Sequence, residues 1–447
     1  MLYIYPKEDY LCYQKTYMDK AGKDFLINDE LERHLESMYN ALGEIDSRQQ
    51  SKVVHRAGVI MMSALIGVFA NCQSWNEVAD FSAERIDFIR KFFPDTQKAP
   101  SHDTLRRFFC LVCPNALERR YRAWALNMRE NLATSKEEGL VEEGIAEERE
   151  KKPPRQIAID GKTIKKAMNE RRRRDEDGFF IPQEERSNDK LHIVSAFSVD
   201  DCLSLGQERV DKKENEIVAI PRLLDDLDIS EGDVVTIDAM GTQKDIVSRI
   251  VKKRAGYLLE VKKNQATLWE TIAGNMRDFE RIPLANEVYK VHKEVESGHG
   301  FVLLRECRVC SSLHSLGKIY KDWENLRSYG LIRTERVDEG TGESAVETHY
   351  FISSLENDPE KIMRVKRKHW GIENGLHWQL DITFKEDDDR KRKNSAQNFS
   401  LLNKMSLTIL KAYQHKDKRA SIKRKRMMAA WNEDCLYDLI TRWIYAF

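Results

Sequence analysis

Three acids offer the chemistry in this chain. Asp160 closes the run QIAID, Asp238 closes VVTID, and Glu373 lies within RKHWGIENGLHW at 367–378. A β-branched apolar run that stops at an acid, followed by Gly or by Ala-Met-Gly, reads as a buried strand with a carboxylate at its tip. The stretch around Glu373 reads as a helix presenting one more. Two strand tips and a helix can bring three carboxylates to one sheet edge. Hard divalent cations such as Mg²⁺ or Mn²⁺ take that oxygen-rich setting, with substrate phosphate completing the shell. A bare carboxylate there needs a compensating cation or donor, although Asp-Gly is also a common turn pair. On a helix, His369, Glu373 and His377 share a face at spacing four. That stripe suits zinc, phosphate contact or a plain polar face equally. Trp370 and Trp378 flank it and are expected in the core, with stacking on an unpaired base as the functional alternative. Lys162 and the quartet Lys262, Lys263, Asn264 and Gln265 sit where DNA phosphates would lie, contacts that position DNA without reading its sequence.

The elements that must hold these residues follow from the patterning. Residues 1–133 are expected as an N-terminal helical domain, including the apolar run GVIMMSALIGVFANC as a buried helix and a helix after Pro100 with Ser101 as N-cap. Residues 134–154, charge-rich and ending in Pro-Pro, form a charged linker. From 155 to 265, strand-like runs followed by strands alternating with amphipathic helices predict a mixed α/β core. Residues 266–354 read as a mostly β insertion, 355–415 as the second part of the core carrying Glu373, and 416–447 as a basic helical tail.

Composition sets outer bounds. A chain of 447 residues calls for two or three domains. Its 74 basic and 74 acidic residues cancel, which excludes a uniformly basic protein but not local nucleic-acid patches. Such patches occur at 162–174 (with Arg171–Arg174), 361–368 and 416–426. The start lacks a basic segment followed by an apolar core, and the longest apolar run is too short to span a bilayer, so a cytoplasmic protein is expected. Two Cys-x-x-Cys pairs, Cys110/Cys113 and Cys307/Cys310, invite a zinc reading. The first lies in an apolar helix pattern and the second in a strand, where residues three apart point to opposite faces.

AIDGKTIKKA, TIDAMGTQKDI, YLLEVKKNQ, YFISSL and RKHWGIENGLHWQLDITFKED, in this order, resemble the H-repeat-associated family of insertion-sequence DDE transposases. HRAGVIMMSALIGVFANCQSWNEVADF and PSHDTLRRFF resemble that family's N-terminal part, so the likeness covers roughly residues 35–445. It implies an RNase H-like catalytic core with divalent-metal catalysis, Asp160, Asp238 and Glu373 as its acids, double-stranded DNA (element ends and target) as partner, and a homodimer on DNA. Broader cut-and-paste transposases carry Tyr-x2-Arg-x3-Glu-x6-Lys. Here those Tyr, Arg and Lys positions hold Lys366, His369 and Leu380, and Lys366, His369 and His377 are expected as phosphate contacts. Asp381 and the exposed acidic run at 386–389 are further candidates for the third acid. The competing readings are a stand-alone RNase H-like nuclease, an inactive DNA-binding relic and a zinc-binding structural protein.

Overall fold

The computed structural model describes residues 17–18, 24–25, 28–142, 154–168, 190–211, 214–282, 284–298 and 300–447. The arginine run 171–174 and residues 143–153 of the expected linker lie outside them. The chain divides into two compact units, residues 1–108 with 426–447, and residues 109–425.

In the first unit, the two-residue strands β1 (Tyr17–Met18) and β2 (Asp24–Phe25) pair antiparallel. Five helices follow: α1 (Asp29–Gly43), α2 (Ala57–Phe69), α3 (Trp75–Glu84), α4 (Ile86–Phe92) and α5 (His102–Leu111). Every residue of α2 is buried, as a helix apolar all round must be. Gly67 brings α3 close, because a Cβ there would lie 2.9 Å from Val78 Cγ2. Ser74 and Glu77 form a capping box that starts α3, and the Ser101 hydroxyl caps α5 as expected. The last residue of the basic run near the C-terminus serves the same core. Arg426, within α12 (Ile422–Trp431), donates both guanidinium bonds to the Val68 carbonyl at the end of α2. The chain ends in α13 (Glu433–Tyr445), which packs on α1 and α2. No described helix is long and apolar enough to cross a membrane.

These divisions differ from those read off the sequence. Helix α6 (Pro114–Glu142) covers the start of the expected linker and belongs to the second unit. Its buried Tyr121 donates to the Ser204 carbonyl, and its Glu118 accepts from the Gln207 N–H.

The second unit is built on one nine-stranded sheet. β3 (Gln156–Met168), β4 (Lys190–Ser198) and β5 (Leu203–Val210) form an antiparallel meander. On the other side of β3, β6 (Val234–Ile237) and β7 (Gly256–Val261) run parallel to it, reached through α7 (Glu216–Asp226) and α8 (Lys244–Lys252). Helix α9 (Ala266–Arg281) opens the expected β insertion. Its strands β8 (Tyr289–Gly298), β9 (Phe301–Cys310), β10 (Ser328–Asp338) and β11 (Ser344–Ser353) do not form a separate layer. β11 pairs antiparallel with β7, and the whole order is β5-β4-β3-β6-β7-β11-β10-β9-β8. Helices α10 (Pro359–His369) and α11 (Asn394–Ala412) return to the core strands.

Gly330 shows how tightly the added strands are packed. A Cβ there would lie 1.9 Å from the Arg308 carbonyl oxygen, a backbone atom that cannot swing aside. Gly330→Ala is expected to destabilise the protein by about 1–3 kcal/mol, read from the urea midpoint.

Candidate active site

Parallel pairing puts the two aspartates together. Ile159 on β3 and Ile237 on β6 are partners in register, so Asp160 and Asp238 leave adjacent strands at the same level. The expected strand tip is corrected for Asp160, because β3 runs on to Met168 while β6 stops at Ile237. Asp238 therefore sits where the sheet opens beside β3.

The Asp238 carboxylate caps its own turn, accepting from the Met240 and Gly241 N–H groups. Gly241 is required because a Cβ would meet Ile237 Cγ2 at 2.3 Å. Three bonds pin this turn from β7 and the segment behind it: Asn264 Nδ2 to the Ala239 carbonyl, Gln265 Nε2 to the Thr242 carbonyl, and the Thr242 hydroxyl to the Glu260 carbonyl. Asn264 and Gln265, expected at DNA, thus have their amides turned inward to hold the turn after Asp238. Asn264→Ala removes one of the two bonds to the Ala239 carbonyl, which still accepts from the Thr242 N–H. It is expected to lower stability by about 1 kcal/mol and to slow cleavage with little change in DNA affinity, as read by single-turnover kinetics.

Other residues expected at phosphates are also engaged within the protein. Lys162 is largely buried and pairs with Asp381 at 2.7 Å and Glu386 at 3.1 Å. Burial works against its charge, but Glu386 and Asp381 outweigh burial and raise its pKa. The acidic run is solvated only in part, with Asp388 exposed and the rest turned toward the protein. Glu386 is buried, Asp387 pairs with Lys165, and Asp388 pairs with Lys166. These acids and Asp381 pair with the lysines of β3, Lys162, Lys165 and Lys166. Lys366 bonds the buried Glu260 at 2.8 Å, beside His349 at the same distance. Burial alone would raise the Glu260 carboxyl. The His349 hydrogen bond and the Lys366 ammonium hold it well below the usual range.

His369 is buried against the Thr236 hydroxyl, with its Nδ1 at 2.9 Å. Burial first, and Lys366 second, push its pKa down to about 4. The unfolded chain binds a proton near pH 6.5 that the folded chain refuses. His369 therefore contributes stability that is present in full above pH 6.5 and lost as pH falls toward 4, by up to about 1.4 kcal/mol per pH unit. His369→Gln is expected to flatten that part of the stability–pH curve, measured by urea unfolding at steps of pH. Of the expected phosphate contacts, Lys262 and Lys263 stay at the surface, the first 3.3 Å from Glu260 and the second over the Trp269 ring.

The stretch after α10 changes register. Residues 373–377 and 379–383 are π-helical turns, a form found mostly at functional sites. Lys411, buried over the Phe197 ring, donates to the Gly375 carbonyl within the first of them. His377 comes to the aspartate, its Nδ1 3.3 Å from Asp160 Oδ2, while its buried Nε2 has no hydrogen-bond partner. Glu373 lies one turn earlier and is exposed, with no side-chain hydrogen bond or ion pair among the described residues. Among those residues no three His, Cys, Asp or Glu side chains form a closed metal cage. Trp370 and Trp378 are corrected from core to surface, at 55% and 53% exposure, with Ile382 beside them.

Two residues that pattern reading passed over, His192 and Glu216, stand against Gly161, the residue after Asp160. The Asp-Gly pair was the available signal. Glu216 Oε1 lies 2.1 Å from where a Cβ of Gly161 would be, so this glycine provides clearance rather than a turn.

The carboxylates fit a hard cation. Asp238 makes no ion pair among the described residues. Burial raises its pKa, opposed by the Gly241 N–H and reinforced by Glu216 and Asp160. Acidic charge is thus gathered here, and one or two carboxylates plus phosphate is an ordinary Mg²⁺ shell.

An antiparallel meander flanked by two parallel strands, with acids leaving the first and fourth strands, defines an RNase H-like core. Residues 151–409 match the family model "Transposase DDE domain", and residues 40–125 match "DDE_Tnp_1-associated". The chain is 30% identical over 401 residues to the "H repeat-associated putative transposase YhhI" of Escherichia coli (strain K12), covering 88% of this chain and 95% of that one. It is 32% identical over 394 residues to the "Putative transposase YncI" of Escherichia coli O157:H7, covering 87% and 90%. A solved piggyBac transposase synaptic complex with hairpin DNA aligns at a TM-score of 0.38 and 11% identity, over 94% of this chain and 80% of that one, too slight a likeness to carry an argument. The chain belongs to the H-repeat-associated DDE transposases, enzymes of DNA transposition that depend on divalent metal to cleave and transfer DNA strands.

Proposed function

We propose that this transposase cuts at insertion-sequence ends and joins the freed 3′ ends to target DNA, with Asp160, Asp238 and Glu373 as its acids and Mg²⁺ or Mn²⁺ as its metal. The observation that carries the reading is the register of β3 and β6, which sets Asp160 and Asp238 side by side at the open end of β6. When bound, divalent cations supply Lewis-acid activation of the attacking oxygen and neutralise charge at the leaving oxygen of an in-line displacement.

The chain's own residues hold and orient. Asp160 and Asp238 hold the cations from neighbouring strands. His377 fixes the Asp160 carboxylate through Nδ1. Asn264 and Gln265 fix the turn of Asp238. Lys262 and Lys263 meet backbone phosphates and position DNA without reading sequence. Glu373 is the third acid, assigned by its place in HWGIEN and by the turn it shares with His377. A homodimer acting on two DNA ends in the cytoplasm completes the proposal.

The test is a cleavage and joining assay on DNA bearing the element's ends, with Mg²⁺ and with EDTA, beside Glu373→Ala. Metal-dependent nicks and joined products that disappear in the variant are expected. Nicks without joining would make the protein a nuclease, and full activity of Glu373→Ala would remove it from the triad.

A further inference from the structure

Glu216 opens α7 and reaches back over the strand that carries Asp160. Its Oε1 is 2.7 Å from His192 Nε2 on β4, and His192 Nδ1 is 2.7 Å from the Thr163 hydroxyl on β3. Thr163 and His192 are direct cross-strand partners. The carboxylate is therefore tied to the sheet at a fixed place, and Gly161 leaves room for it. One turn further along α7, Ile220 meets the turn that follows Asp238, its Cδ1 3.2 Å from a Cβ position on Gly241. The first turn of α7 is thus wedged between the residue after Asp160 and the turn after Asp238. No described lysine or arginine pairs with Glu216. Its side-chain partner among the described residues is His192.

We propose that Glu216 is a positioning carboxylate of the divalent-metal site, held by the Thr163–His192 chain so that its charge faces the cation shared by Asp160 and Asp238. This rests on the proposed metal-binding role of the two aspartates. Mg²⁺ gives up its hydration shell reluctantly, so Glu216 would act on the cation through a bound water. Groups outside the first ligand shell tune metal affinity by about 10–100-fold.

The test reads metal binding apart from turnover. The full chain is titrated with Mn²⁺ and free Mn²⁺ is followed by its EPR signal, for the wild type, Glu216→Gln and Asp238→Asn. Glutamine keeps the shape and can still bond His192. Glu216→Gln is expected to bind Mn²⁺ about 10–100-fold more weakly, with a melting midpoint in EDTA equal to the wild type or above it, because like charge has been removed. Wild-type affinity in Glu216→Gln alongside a loss in Asp238→Asn would overturn the role of Glu216 alone. Wild-type affinity in both would overturn the Asp160–Asp238 reading as well. If Glu216→Gln melts early, Glu216→Asp is read instead. It keeps the charge but draws it back by one methylene, so weakened binding supports the proposal and unchanged binding overturns it.

Discussion

Asp238→Asn is expected to leave strand cleavage down by on the order of a thousandfold or more while binding of element-end DNA persists. The reason is specific to its place. Asp238 Oδ1 accepts the two N–H groups of its own turn, and asparagine's carbonyl oxygen can keep both bonds. The turn, pinned by Asn264 and Gln265, therefore stays folded. What disappears is the charge that meets the cation, and with it the stabilisation of the displacement at phosphorus. Asp160→Asn is expected to fall as far. It lies within a strand rather than at its tip, so β3 pairing is unaffected, and His377 loses only an ionised partner. The measurement is single-turnover cleavage of labelled end DNA beside a gel-shift titration. Cleavage within tenfold of wild type in either variant would remove that aspartate from the metal site. A parallel loss of DNA binding would point to a folding defect instead.

The second large effect is expected away from the chemistry. Lys162→Met should destabilise the second unit by roughly 3–5 kcal/mol, because it leaves Glu386 buried with one of its two cationic neighbours gone. Glu386 is pushed up by burial and brought below its ordinary range by Lys162 and Lys404, so Lys162 is what keeps that carboxylate charged. Urea unfolding at neutral pH measures the loss. The double variant Lys162→Met/Glu386→Leu is expected to recover much of it, since an apolar pair removes the stranded charge. A loss below about 1 kcal/mol, the scale of an exposed ion pair, would show that the acidic run is only loosely laid on β3. DNA affinity should change little in Lys162→Met once the fold is stabilised, in contrast to a phosphate-contact lysine.

Much of the organisation was readable in order along the chain. The apolar run of α2, uniform around the helix, had to be buried whatever it packed on. The runs QIAID and VVTID had to be strands carrying acids, because short runs rich in β-branched and apolar residues specify a buried strand locally. The same local signals placed Ser101 at a helix start and marked 155 as the beginning of α/β texture. The family assignment rested on ordered motifs, each short, whose joint occurrence over most of the chain was the information.

Partnership was not local, and pattern reading erred where partners decided. Lys162, Lys366, Asn264 and Gln265 are polar side chains in segments that looked like phosphate-facing loops, and each found a partner inside the protein. A lysine's pattern carries no sign of the carboxylate that will meet it 219 positions later, as Asp381 meets Lys162. The acidic run at 386–389 looked solvated for the same reason. Trp370 and Trp378 looked like core because of their size, yet the two π-helical turns of 373–383 leave them exposed. The boundary near 133 failed because α6 carries helical texture while its side chains bond to β5.

By itself the sequence determined which residues bear charge and reactivity, which stretches must be strand or helix, and to which family the chain belongs, since these depend on residue type and on periods of two and 3.6. Only the tertiary structure decided that β3 and β6 lie parallel with Ile159 opposite Ile237, that Glu216 and His192 stand against Gly161, and that Lys162 and His369 have partners inside the protein. Those facts depend on strand register and on desolvation by distant parts of the chain, which act through space and leave no mark on the local order of residues.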